Sequence, residues 1–94
     1  MRVSELRSGM RRVSVTARVV EISAPRDVVT RYGEARVATA IVADDTGQIE
    51  MSLWDDQIER VSVGDEVEVE NGYVTEFRGK PQLNVGRYGR LTVR

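Results

Sequence analysis

"DDTGQIEMSLWDDQIERVSVGDEVEV", residues 44–69, holds a turn, a strand, a short helix and the start of another strand. Asp44 to Gly47 is turn chemistry, since Asp bonds its own backbone and Gly tolerates tight geometry. Residues 48–54 then alternate. Ile49, Met51 and Leu53 fall on one face, predicted inward, and Gln48, Glu50, Ser52 and Trp54 on the other, predicted outward. The stretch 55–64 opens on Asp55 and Asp56, which are capping types, and spaces Ile58 and Val61 for one helical face before Gly64. A helix of one or two turns is predicted there.

Working outward, residues 65–77 read as a long strand with Val67 and Val69 inside. Asn71-Gly72 suits a bulge that shifts the parity, burying Val74 and turning Tyr73, Thr75 and Phe77 outward. Arg78-Gly79-Lys80 turns the chain into a strand at 81–85, with Leu83 and Val85 inside and Gln82 and Asn84 outside. On the other side, 35–43 is a strand that is apolar on both parities, so its faces stay unassigned. Residues 23–34, punctuated by Pro25 and Gly33, read as a loop or an irregular hairpin end. Residues 13–22 form the first strand, with Val13, Val15, Ala17 and Val19 on one face. A bulge near Val19–Val20 is predicted to hand the apolar side to Val20 and Ile22. Residues 4–10 are expected to form a helical turn over one barrel opening. Five strands with a short helix between the third and fourth are the elements of an all-β OB-fold, a Greek-key barrel that binds oligonucleotides or oligosaccharides. Residues 1–94 are expected to make one such nucleic-acid-binding domain.

Composition narrows the chemistry. The chain is 40% apolar and 31% charged, a globular balance rather than a disordered one. No apolar run is long enough for a membrane span or a secretory leader, which sets the expectation of an intracellular, cytoplasmic protein with no membrane partner. With no Cys and no His, the commonest general base and the strongest side-chain nucleophile are both missing. Asp44-Asp45 and Asp55-Asp56 fit a turn and a helix cap better than a metal site. No phosphate-cradling Gly-rich motif occurs. The expectation is therefore a binding module, not an enzyme, with no catalytic residues, cofactor or metal.

The net charge of −1 conceals a segregation. Acids crowd into 44–76, where Arg60 is the only cation, whereas Arg78, Lys80, Arg87, Arg90 and Arg94 close the chain with no acid among them. Charge sorted in this way focuses a field even when the sum is near zero. Beside the basic turn lie Tyr73 and Phe77, and Trp54 is outward on a neighbouring strand. A large exposed ring forgoes about 1.5–3 kcal/mol of burial, and stacking on a nucleobase returns about 1–3 kcal/mol. Taken singly each ring suits a core, but three on adjoining strands beside cations suit a stacking surface. Tyr88, beside Arg87 and Arg90, either extends this platform or covers the barrel rim, and the rim is the preferred reading. Tyr32, between Arg31 and Gly33, either closes over a bound strand or is an ordinary exposed loop tyrosine.

These residues carry a resemblance. Residues 38–86 contain D-x-T-G, an apolar strand ending in Trp, V-G-D, Asn-Gly-aromatic and F-x-G before the last strand. That pattern resembles the OB-fold of archaeal single-stranded DNA-binding proteins, and is similar to the SOSS-complex B subunits and to OB domains of archaeal replication protein A. The resemblance implies that Trp54, Tyr73 and Phe77 stack on bases. It implies phosphate contacts from Arg31, Arg36, Arg78 and Lys80, and polar contacts from Gln82 and Asn84. Tyr73 stands where some archaeal members have Trp, and Asn84 where the human proteins carry a further aromatic. The implied function is sequence-tolerant single-stranded DNA binding in replication, recombination or repair, by a monomeric domain that meets replication or repair proteins. Two alternatives remain open: an RNA- or tRNA-binding OB domain, and a protein-interaction module without nucleic-acid binding.

Overall fold

The computed structural model describes residues 1–94 throughout. A 3-10 turn (Val3–Glu5) precedes β1 (Arg11–Ile22), β2 (Arg26–Thr30), β3 (Gly33–Asp44) and β4 (Gly47–Trp54). Helix α1 (Asp56–Arg60), β5 (Glu66–Phe77), β6 (Lys80–Asn84) and β7 (Arg90–Val93) follow. The strands neighbour one another in the order β1-β3-β4-β6-β5, and β5 also pairs with β1, closing the sheet into a barrel. Only the β4–β6 pair is parallel; β2 hangs on β3 and β7 on β5. This is the OB-fold.

Alternation does the folding. Val13, Val15, Ala17 and Val19 of β1 are buried, as are Ile49, Met51 and Leu53 of β4, and they meet Val67, Val69, Val74 and Leu83 in one core. Each of these side chains larger than alanine adds about 1.5–3 kcal/mol relative to exposure. Both expected bulges occur. Val13 pairs with Gly72 but Val15 with Val69, so β5 carries one extra residue, and Asn71 sits there at φ 55°. The inward parity therefore jumps from Val69 to Gly72 and Val74, and Tyr73, Thr75 and Phe77 face out.

At the other bulge Val19 pairs with Val42 and Glu21 with Ile41. Val20, expected inside, is the unpaired residue and is exposed, while Ile22 packs on the core. A bulge residue has no cross-strand neighbour, so it is expelled rather than buried.

Three further expectations need correction. Of the loop and the irregular hairpin end read at 23–34, the structure has a hairpin, and a regular one: β2 pairs with β3 from Arg26↔Val37 to Thr30↔Gly33, forming an arm that projects beyond the core. The chain also ends in an unforeseen strand, β7, which buries Leu91 against β5. The helix is shorter than 55–64, and Asp55 does not cap it. Asp55 stands at φ 51°, and its carboxylate accepts the backbone N–H of Arg36 at 3.0 Å. Gln57 serves the helix start instead, accepting the Trp54 N–H at 3.0 Å.

The N-terminal segment plugs the barrel as expected, through Val3 and Leu6. Its anchor is Asp44, whose carboxylate accepts the N–H groups of Val3 (2.9 Å) and Thr46 (2.8 Å) and the Thr46 hydroxyl. Those bonds, led by the Thr46 hydroxyl and then the Val3 amide, lower the Asp44 pKa from 3.8 to about 2. Each stabilises the ionised form.

Candidate nucleic-acid interface

Directly opposed residues in a sheet share a face, so the strand register maps the outer surface. Phe77 is opposite Lys80, Thr75 opposite Gln82, and Tyr73 opposite Asn84. Gln82 in turn pairs with Glu50, Glu50 with Ile41, and Ser52 with Thr39. Trp54 lies one step further along β4, opposite Val37. One continuous face thus runs from Trp54 across Ser52, Asn84 and Gln82 to Tyr73, Thr75 and Phe77.

The three rings are about 40% exposed: Trp54 38%, Tyr73 40%, Phe77 43%. Each rests one side on the protein and shows the rest to solvent. Tyr73 and Phe77 are separated by roughly 13 Å along β5, and Trp54 lies roughly 12 Å from Tyr73 across two strand spacings. No single base spans two of them. Tyr73 lies over Gly86, close enough that a Cβ there would come within 2.6 Å of its Cε1.

The floor between the rings is polar. Asn84 and Ser52, expected to be exposed, have the outward parity but are covered. The Asn84 amide donates to the Thr75 hydroxyl and the Gln82 carbonyl, both at 3.0 Å. Neighbouring side chains close over these short residues, so parity alone did not reveal their burial. Gln82 is half-buried beside Glu50, an acid within the face.

The predicted cations divide. Arg78 and Gly79 form a two-residue turn with positive φ at both positions, matching the twist of the β5–β6 hairpin. The Arg78 guanidinium lies 5.2 Å from the Phe77 ring centroid, a cation–π distance, and Lys80 is the cross-strand partner of Phe77. Arg31, at the tip of the β2–β3 arm, lines a cleft of about 570 Å³ with Tyr32, Glu34, Trp54 and Asp55. Arg36 is not brought to this surface. Its neighbour Val37 shares the face of Trp54, so Arg36 takes the opposite parity, and its guanidinium lies 3.6 Å from Glu59.

One neighbour of the rings escaped the sequence reading. Arg11 is the β1 partner of Tyr73 and lies on its face. Of the two readings of Tyr88, the rim cover does not hold, because the ring is 83% exposed. The signal available for Arg11 was the Arg11-Arg12 pair at the mouth of the first strand.

A closed OB barrel with part-exposed rings and cations along one face defines a class of oligomer-binding modules. The comparison with known families is specific. A family model described as single-stranded DNA binding protein Ssb-like, OB fold, matches residues 6–93, and the chain belongs to that family. It is 38% identical over 85 residues to the "Single-stranded DNA binding protein Ssb" of Saccharolobus solfataricus, covering 90% of this chain and 57% of that protein. It is also 38% identical over 97 residues to the "Replication factor A" of Methanothermobacter thermautotrophicus, covering 96% of this chain and 12% of that protein. The chain thus spans little more than half of one relative and a small part of the other. Among solved structures, a replication factor A related protein from Methanobacterium thermoautotrophicum superposes with a TM-score of 0.81 at 28% identity, covering 100% of this chain and 89% of that one. The family is one of binding proteins rather than enzymes. No helix is long and apolar enough to cross a membrane.

Proposed function

We propose that this chain binds single-stranded DNA with little sequence preference, stacking bases on Trp54, Tyr73 and Phe77 and contacting phosphates through Arg31, Arg78 and Lys80. The observation that supports this most is the placement of three half-exposed rings on one face of a barrel from a family described by single-stranded DNA binding. Residues 1–94 act in this reading as one monomeric OB unit. The replication-related names of its relatives favour a role in protecting DNA during replication, recombination or repair. Gln82 supplies a polar contact between the rings, and Asn84 holds Thr75 and the β6 backbone in place. Arg36, paired with Glu59, takes no part in the core contact.

The magnitudes require both kinds of contact. Three stacked bases give about 3–9 kcal/mol gross, while association costs on the order of 4–15 kcal/mol. Stacking alone scarcely suffices, so phosphate neutralisation must contribute. Three phosphate contacts predict a slope of about −2 in log K against log salt, or roughly a 20-fold loss between 50 and 200 mM. Duplex binds poorly, because its bases are already stacked on one another. The footprint is about four to six nucleotides.

Trp54 is the only tryptophan, so its fluorescence reports one place on this face. Titration with oligo-dT should quench it saturably, more strongly at low salt. Phe77→Ala should weaken binding by about 1–3 kcal/mol while unfolding stays cooperative. An unchanged spectrum together with wild-type affinity in Phe77→Ala would overturn the reading and favour a protein-interaction module. Competition between oligo-dT and oligo-U tests the preference for DNA over RNA.

A further inference from the structure

Beyond Tyr73, the surface opens into a second cleft of about 610 Å³ where the start of β1, the bulged part of β5 and residues 85–88 meet. Its walls include Arg11, Arg12, Arg87, Tyr73 and Tyr88, and no carboxylate. In a chain with more acids than bases, such a cleft is not a sample of the average surface. None of the three guanidiniums has an acidic partner: the two ion pairs of the protein use Arg36 and Arg94. Nor do they donate hydrogen bonds within the protein, as those of Arg60 and Arg94 do.

The backbone gathers these charges actively. Consecutive strand residues ordinarily point to opposite faces. Here Arg11 pairs with Tyr73 and Val13 with Gly72, so Arg12 is an extra residue, held at φ 55°. That bulge re-aims Arg12 and lets both neighbours line one cleft. A positive φ is unfavourable for arginine, so the conformation persists against a local cost. On the opposite wall, the Asn71 amide donates to the Tyr88 carbonyl at 3.3 Å, pinning the backbone that carries an 83% exposed ring. Tyr73 belongs to both surfaces. Its ring lies over Gly86 at the cleft's edge and also forms part of the aromatic face.

We propose that a bound single strand continues past Tyr73 into this cleft, with Arg11, Arg12 and Arg87 neutralising its phosphates and Tyr88 stacking one further base. The proposal rests on the single-strand reading above and extends its path. The contacts beyond Tyr73 lengthen the footprint by about two nucleotides over that of the three-ring face.

A length series of oligo-dT, from four to ten nucleotides, against wild type, Tyr88→Ala, Arg11→Ala, Arg87→Ala and Phe77→Ala separates the possibilities. Affinity of the wild type should keep rising with length after the three-ring face is filled. Tyr88→Ala and Arg87→Ala should bind the shortest ligands like wild type, reach their plateau about two nucleotides earlier, and lose at least about fivefold on the longest. Arg87→Ala should also reduce the salt slope by about 0.7 on long ligands only, and Arg11→Ala, beside Tyr73 where the two surfaces meet, should reduce it by at least as much on long ligands. Arg87→Lys, which keeps the charge, should restore most of the slope. Arg87 is an exposed loop residue without a partner, so its removal leaves the fold intact; thermal melts check each variant. Equal affinities for wild type and the cleft variants at every length would overturn the proposal, as would an equal loss on short and long ligands. Preferential competition by an acidic peptide over oligo-dT at the cleft would overturn it too. If Phe77→Ala is also silent, the single-strand reading itself fails; if Phe77→Ala weakens binding while the cleft variants do not, only the extension fails.

Discussion

Replacing Gly86 by alanine moves a stacking ring without removing an atom from it. A Cβ at position 86 would lie 2.6 Å from Cε1 and 3.1 Å from Cδ1 of Tyr73. Carbon atoms prefer about 3.5–4.0 Å, so the ring edge must retreat by roughly 1 Å. Tyr73 is 40% exposed and its free side is solvent, so the ring tilts away rather than forcing the backbone apart. The backbone contributes a second effect, because Gly86 stands at φ 75°. Alanine there costs about 1–2 kcal/mol, against a total stability on the order of 5–15 kcal/mol. The variant should therefore fold cooperatively, with a melting temperature lower by about 4–8 °C per kcal/mol. A tilted Tyr73 gives up part of its stacking, so affinity for oligo-dT should fall by about 1 kcal/mol, roughly fivefold. The decisive assay is a double-mutant cycle read by Trp54 fluorescence. Alanine at 86 should weaken binding in the wild-type background and change little in a Tyr73→Ala background, since the two act through one ring. Equal losses in both backgrounds would refute the argument, because the glycine would then be acting through its loop.

Two more expectations follow from charge. The Asp44 carboxylate is held at a pKa of about 2 against 3.8 unperturbed, so the unfolded chain binds its proton more readily. Its contribution is complete above pH ~4 and lost as pH falls towards ~2. The urea midpoints of wild type and Asp44→Asn, compared from pH 6 to pH 2.5, should converge on acidification; a constant gap would refute this. Glu50 lies beside Gln82 on the candidate face, where a charge ~8 Å from a phosphate costs about 0.5 kcal/mol in water. Glu50→Gln should accordingly tighten oligo-dT about twofold at low salt and less at high salt. Unchanged or weaker binding would place the strand away from this row.

Much of the barrel was legible because burial imposes a period. β1 and β4 alternate, and Asn71-Gly72 marks the parity jump that turns Tyr73, Thr75 and Phe77 outward. The β2–β3 arm was legible only as a choice between a loop and an irregular hairpin end. Val28 and Val29 are strand-forming residues, but an arm outside the core leaves no buried face to write an alternation. β7 is too short to show a period, with Leu91 its single buried residue. The rings of the candidate site could be named from the sequence because exposure of an aromatic is itself unusual. Their cations could not be sorted in the same way. Arg36 faces away from Trp54 and Arg11 faces Tyr73 for the same reason, the register of neighbouring strands, and register is a property of pairs rather than of residues.

β5 is shared unequally along its length. Residues 66–73 pair with β1 and 67–70 also with β7, and the Val74 N–H and carbonyl bond Met10 and Gly9. From Thr75 to Phe77 the sole strand partner is β6, whose link to β4 reaches no further than Gln82. Amide exchange in the first half should therefore report global unfolding, while the tip from Thr75 to Lys80 opens independently by local fraying. On this expectation Tyr73 belongs to the slow-exchanging part and Phe77 to the fast one. A strand that grips both would be met by a fixed jaw and a sprung one. Under that reading the sprung jaw would adapt to bases of different size while the barrel beneath stays closed.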